Sequence, residues 1–142
     1  MKDRKTQWVA TSGFILNSEQ KILVVRRAAH DSHPNVWELP GGATDHGEDP
    51  IAATRREVKE ETGLDVLVEY PLSTASVFSV KNEDLQIFKI AYLCRLKGEE
   101  QDILLSNEHS AYQWINSPDD IEGEISSFLL QIFAEIEEYD LL

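Results

Sequence analysis

Cysteine occurs once in the 142 residues, at Cys94, which rules out an internal disulfide, and no Cys/His cluster has the spacing of a zinc site. Long apolar runs are missing too. Nothing approaches the roughly 18 consecutive apolar residues of a membrane span, and Met1 to Gln20 has charged and polar residues throughout and lacks the continuous apolar stretch of a signal peptide. Repeats, low-complexity tracts and Pro/Gly/Ser linkers are absent, so the expectation is one domain over residues 1–142. A chain of this size buries roughly 68–70% of its unfolded surface and needs no covalent staple. Together these absences predict a soluble protein of a reducing, cytoplasmic compartment. Bases are scarce as well, 13 against 26 acids, for a formal net charge of −13. Such a surface repels a long polyanion such as duplex nucleic acid, and penalises much less a small phosphorylated molecule that arrives with divalent cations.

What is present is turn chemistry between apolar runs. Trp8 to Leu16 and Ile22 to Arg26 are β-branched and apolar, and the turn-like Asn17-Ser18-Glu19-Gln20 between them predicts a hairpin. Val36 to Leu39 reads as a short strand closed by Pro40-Gly41-Gly42. Leu64 to Ser79, with Pro71 marking a bend, Leu85 to Leu96 and Ala111 to Ile115 read as further strands. One helix opens at Asp49 as N-cap with Pro50 in its first position, and stops at Gly63. Another runs from about Glu124 to Tyr139, where Ile125, Phe128, Leu129, Ile132, Phe133 and Ile136 keep helical spacing. This inventory predicts an α/β fold, a mixed sheet covered on both faces by helices.

The segment Gly42 to Leu64 carries the chemistry. Glu57, Glu60 and Glu61 stand at i, i+3 and i+4 of the first helix, within an arc of about 100°. Like charges at i, i+4 destabilise a helix by about 0.2–0.5 kcal/mol, and burying them together costs more. A hard divalent cation reverses that sign, because Mg²⁺ prefers carboxylate oxygen and keeps several waters. An acidic helix face is more simply read as solvated, and Glu135, Glu137 and Glu138 of the second helix are assigned to solvent on that ground. The first cluster differs in its company. Pro40-Gly41-Gly42 lets backbone approach a ligand, Gly47-Glu48 closes the loop, and Arg56 is placed to orient carboxylates through paired hydrogen bonds.

With those positions read, the segment resembles the Nudix box, G-x5-E-x7-R-E-U-x-E-E-x-G-U with U apolar, matched without a gap by Gly42, Glu48, Arg56, Glu57, Val58, Glu60, Glu61, Gly63 and Leu64. The flanks, Arg26-Arg27-Ala28-Ala29 and Trp37-Glu38-Leu39-Pro40, resemble MutT-like members, in which the position of Arg27 is implicated in substrate binding. Asn107-Glu108-His109 resembles a loop that often adds one more acid to such sites. The likeness spans roughly residues 7 to 120. Departures leave the subfamily open. After Trp114 there is no segment like the one that reads oxidised guanine in the MutT prototype. Neither the proline of ADP-sugar pyrophosphatases nor the tyrosine of dinucleoside polyphosphate hydrolases stands about 16 residues past the box.

The resemblance implies a Nudix fold, an α/β/α sandwich around a mixed β-sheet, and Mg²⁺-dependent hydrolysis of a nucleoside diphosphate linked to another moiety X, with Mn²⁺ as an admissible substitute. It implies metal binding by Glu57, Glu60 and Glu61 with the Gly41 carbonyl, and substrate contact by Arg27 and Gly42. Arg56 and Glu48 would hold the carboxylates, and Glu61 or Glu108 would act as general base. The implied partner is a small nucleotide, with no long nucleic acid and no membrane; a homodimer is admissible. Other classes stay open: a domain that binds nucleotides without turnover, an isomerase of isopentenyl diphosphate type, which needs a catalytic cysteine where Cys94 lies in an expected strand, and a scaffold with a vestigial box. His30, His33, His46 and His109 are expected to be surface residues or local caps. Trp37 and Trp114 are expected in the core.

Overall fold

Phe14, Ile15 and Leu16 are consecutive and buried, and a strand can bury consecutive side chains only where both its faces are covered. The computed structural model, which describes residues 6–98 and 101–142, shows how. Seven strands form one sheet: β1 (Gln7–Leu16), β2 (Ile22–Arg27), β3 (Trp37–Glu38), β4 (Gly41–Ala43), β5 (Val66–Phe78), β6 (Gln86–Leu96) and β7 (His109–Ile115). Helix α1 (Pro50–Thr62) lies between β4 and β5 in sequence, and α2 (Ser127–Tyr139) follows β7 after a 3₁₀ turn at Pro118–Asp120. The sheet order is β3-β2-β1-β6-β5, with β4 also on β1 and β7 on β2. β1 and β6 are parallel and every other pairing is antiparallel, so the sheet is mixed. Phe14 and Leu16 enter one core with Leu93, Ile115 and Leu129 and Ile132 of α2, while Ile15 enters the other with Leu23, Val66 and Val58 of α1. The result is the expected α/β/α sandwich.

Helix α1 forms where its local signals place it. The Asp49 carboxylate accepts from the Ile51 and Ala52 amides at 3.0 and 3.2 Å, and Gly63 adopts φ 77° to end the helix. A Cβ at Gly13 would lie 3.0 Å from Val58 Cγ2, so that glycine seats α1 directly on β1.

Four expectations need correction. The Gly41-Gly42 segment, expected as a loop, is strand β4, paired with β1 through Thr11↔Gly42 and Ser12↔Gly41. Pro71 marks no bend: β5 runs from Val66 to Phe78 with register shifts on either side of it, tolerable because β5 is an edge strand. Helix α2 starts at Ser127 under a Ser126 cap rather than at Glu124, because residues 124–126 lie extended against β3, Trp37 donating to the Glu124 carbonyl and Ser126 to the Trp37 carbonyl. Strand β7 begins two residues earlier than Ala111, at His109.

Candidate active site

Arg56 leaves α1 at its middle and organises the loop in front of it. Its Nε and Nη2 donate to the two oxygens of Glu48 at 2.8 and 2.9 Å, a two-pronged pairing. Nη1 reaches Glu57 at 3.0 Å and Glu60 at 3.2 Å, and Nη2 also meets the Ala43 carbonyl. Glu48 is further held by the Asp45 amide, which donates to it at 3.0 Å. The Arg56 hydrogen bonds, aided by that amide, hold the Glu48 carboxyl down at about 2. The expected tie from Arg56 to the carboxylates is therefore present, and it spans the loop as well as the helix.

The box carboxylates divide. Glu57 and Glu61 face a cavity between α1, β4 and β7, whereas Glu60 is 57% exposed at the rim against Arg56. Glu57 packs against Gly42 so closely that a Cβ there would sit 2.6 Å from Oε2. Burial raises its pKa, opposed by Arg56. Glu61 is only 4% exposed, and its Oε1 accepts from the Gly41 amide at 2.8 Å. The N–H of Gly41 thus touches the carboxylate cluster. Burial, together with a hydrogen bond shared with Glu108, pushes the Glu61 carboxyl up to about 9. Glu108 arrives from a loop bound to the end of α1: the Leu104 amide donates to the Thr62 carbonyl and the Ser106 amide to the Glu61 carbonyl.

The opposite wall is built by a register shift in the β2–β7 pairing, where Arg26 faces Ala111 but Arg27 faces His109. Arg27 donates to Glu38 at 2.8 Å and to Asp31 at 3.0 Å. Burial works against its charge, but Glu38 and Asp31 more than offset this and raise its pKa. His109 Nε2 lies 3.0 Å from the other Glu38 oxygen, and its Nδ1 is buried with no hydrogen-bond partner among the described residues. His109 is therefore not the surface residue expected; His30, His33 and His46 are exposed as expected. The sequence gives Glu38 no role, and it marks His109 only as a surface residue or local cap. The available signal was position: Glu38 lies between the core residues Trp37 and Leu39 in a short strand, the place where alternation turns one side chain away from the core.

These walls enclose a cavity of about 260 Å³ bordered by Glu38, Glu57, Glu61 and Glu108 with Arg27. An adjoining space of about 130 Å³ shares Arg27, Glu38, Gly41 and Gly42 with it and extends beneath α2. Among the described residues no three His, Cys, Asp or Glu side chains converge tightly enough to enclose a bare ion. The donor set fits instead a hard, hydrated divalent cation, which takes one or two carboxylates and keeps waters for the rest of its shell. A carboxyl buried among others and holding its proton up to about 9 is the arrangement such a cation would relieve.

The NUDIX domain model matches residues 6–133. The chain belongs to the Nudix family. It is a Nudix-type pyrophosphohydrolase, and members of this family generally require divalent cations. An RNA pyrophosphohydrolase of Pelagibacter ubique is 26% identical, the alignment covering 97% of this chain and 96% of the relative. A MutT-like protein of Streptomyces ambofaciens is 30% identical over 89% of this chain and 71% of its own length. The crystal structure of a MutT protein from Methanosarcina mazei Go1 superposes with a TM-score of 0.79 at 22% identity, covering 99% of this chain and all of that one, which bears on the fold. Other features of this Nudix chain bear on the remaining expectations. Cys94 is buried in β6 and burial pushes its thiol up to about 12, so it has none of the thiolate character of a catalytic cysteine. Trp37 is in the core and Trp114 packs partly buried against the α1-side cluster. Glu137 and Glu138 face solvent as expected, but Glu135 is half-buried and accepts from Ser73 at 2.6 Å, tying α2 to β5. No helix among the described residues is long and apolar enough to cross a membrane.

Proposed function

We propose that this Nudix hydrolase is a cytoplasmic, single-domain enzyme that cleaves a phosphoanhydride bond in a small nucleoside diphosphate derivative, a nucleoside triphosphate being the simplest, with Mg²⁺ or, in substitution, Mn²⁺. The observation that carries this reading is the buried Glu61, held by the Gly41 amide in a cavity walled by Glu57, Glu38 and Glu108. Glu57 and Glu61 would hold the cation from α1, and the Gly41 carbonyl would be a further ligand. Glu60 would reach it only by exchanging its Arg56 contact. Bound there, the cation would neutralise phosphate charge and make an attacking water more acidic. The chain's own residues supply the rest. Arg56 and Glu48 keep Glu57 in place, the Gly42 backbone leaves room beside it, and Arg27 contacts a phosphate after releasing Glu38 or Asp31. Glu108, exposed at the mouth, would take the proton from the attacking water. Charge neutralisation and positioning would carry most of the rate, with the general base adding typically about 10²–10⁴.

The name of the Pelagibacter relative raises RNA 5′ ends as a second substrate class. The net charge of −13 favours the mononucleotide, since it opposes a long polyanion. The test is phosphate and pyrophosphate release with Mg²⁺ across nucleoside triphosphates, ADP-ribose, nucleotide sugars, dinucleotides and a 5′-triphosphorylated RNA. Turnover of the RNA alone would overturn the small-molecule reading. Binding across the panel with no turnover would favour a sensing domain.

A further inference from the structure

The space beneath α2 is lined by a half-buried cation that has no acceptor among the described residues. Lys89 of β6 lies beside Ala10 of β1 on the face of the sheet that α2 covers, and it lines that space with Ser12, Phe128 and Leu129. Its ammonium has no hydrogen-bond acceptor and no ion pair among the described residues; the contact it makes is with the Phe128 ring, 5.9 Å from the centroid. Burial pulls its pKa down, opposed by the charge of Glu38. A half-buried donor without an acceptor is unfavourable until a ligand supplies one, and an aromatic ring at the edge of the same space offers a stacking surface. This space joins the carboxylate cavity through Arg27, Glu38, Gly41 and Gly42. A nucleotide lying along both therefore places its diphosphate by Glu57 and Glu61 and its base by Lys89.

We propose that Lys89 and Phe128 form the nucleobase site and that Lys89 selects a base whose edge presents adjacent acceptors, the guanine O6/N7 pattern, over adenine. The proposal rests on the nucleotide-hydrolase reading above. A lysine ammonium only donates, so it pairs with O6 and N7 of guanine and is repelled by the N6 amine of adenine, whereas a glutamine amide matches the N6/N7 edge of adenine. Phe128 stacks on either base and contributes affinity without selection.

The experiment measures kcat/KM for GTP and ATP with Mg²⁺, and equilibrium binding of GMP and AMP, in the wild type, Lys89→Met and Lys89→Gln. The wild type is expected to favour the guanine nucleotide by about 5- to 150-fold. Lys89→Met should bring that ratio close to one, and Lys89→Gln should turn it toward adenine. Equal handling of GTP and ATP by the wild type, or an unchanged ratio in Lys89→Met, overturns the assignment while leaving the hydrolase reading intact. Should no nucleotide be hydrolysed, the hydrolase reading falls instead, and preferential binding of GMP that Lys89→Met abolishes still upholds the base site. Without that preference, the base site falls too.

Discussion

Glu61→Gln separates the two tasks assigned to one side chain, because the amide reproduces the protonated carboxyl in shape. Its oxygen can still accept from the Gly41 amide, and its NH₂ can donate toward Glu108. The Glu61 carboxyl stands near 9 in the metal-free fold against 4.5 for an unperturbed one. A group with a raised folded value stabilises the fold fully at acid pH, and that contribution is lost as pH climbs from about 4.5 to about 9. Each pH unit in that window corresponds to about 1.4 kcal/mol, or about 6 kcal/mol across it if the site stayed rigid. Glu108 is exposed and free to swing away once Glu61 ionises, so the expected loss is about 2–3 kcal/mol, or about 5–10 °C in Tm for a chain of this length. Thermal unfolding in EDTA from pH 5 to pH 9 should show this fall for the wild type and a flat profile for Glu61→Gln. At pH 7, saturating Mg²⁺ should release close to one proton per wild-type molecule and none from the variant. Turnover of the variant should drop by at least about 10²–10⁴ while it stays folded. A pH slope shared by both proteins, or near wild-type turnover in the variant, would refute the placement of the proton and the role given to Glu61.

Two neighbouring perturbations test the frame around it. Gly42→Ala places a methyl 2.6 Å from a Glu57 oxygen, a flexible end that can yield, so Tm should change little. Displacement of that carboxylate by about an ångström should lower kcat/KM by about 10²-fold. Gly41→Ala meets the Thr11 carbonyl, which cannot yield, so its effect should appear in Tm first, as a loss of about 1–3 kcal/mol. Arg56→Lys keeps the charge and loses the paired hydrogen bonds to Glu48. A Mg²⁺ titration of its activity should show weakening of about 10–100-fold, with the metal-free melting point near that of the wild type.

Helix α1, its Asp49 cap and its Gly63 stop were legible because each is decided within a few residues of chain. So was the pairing of Arg56 with its neighbours, since Glu57 is the next residue and Glu60 lies one helical turn on. Residues whose role depends on a distant strand were not legible. Strand β4 exists only because Gly41 and Gly42 can lie flush against β1, roughly thirty residues earlier in the chain. His109 read as a loop residue until the β2–β7 register shift turned it toward Glu38. Nor does helical spacing distinguish Glu60 from Glu61. Their difference in burial comes from what packs on α1, where β4 and the loop through Ser106 close over Glu61 and leave Glu60 outside.

By itself, then, the sequence determined the family, the carboxylate helix and the glycines before it, because caps, spacing and charge act over one or two turns of helix. Only the tertiary structure decided which glutamates share a cavity, which arginine and histidine stand opposite, and that a half-buried lysine lies alongside. Those facts depend on strand register and on burial, and burial raises or lowers the energy of a charge only after distant segments have closed around it.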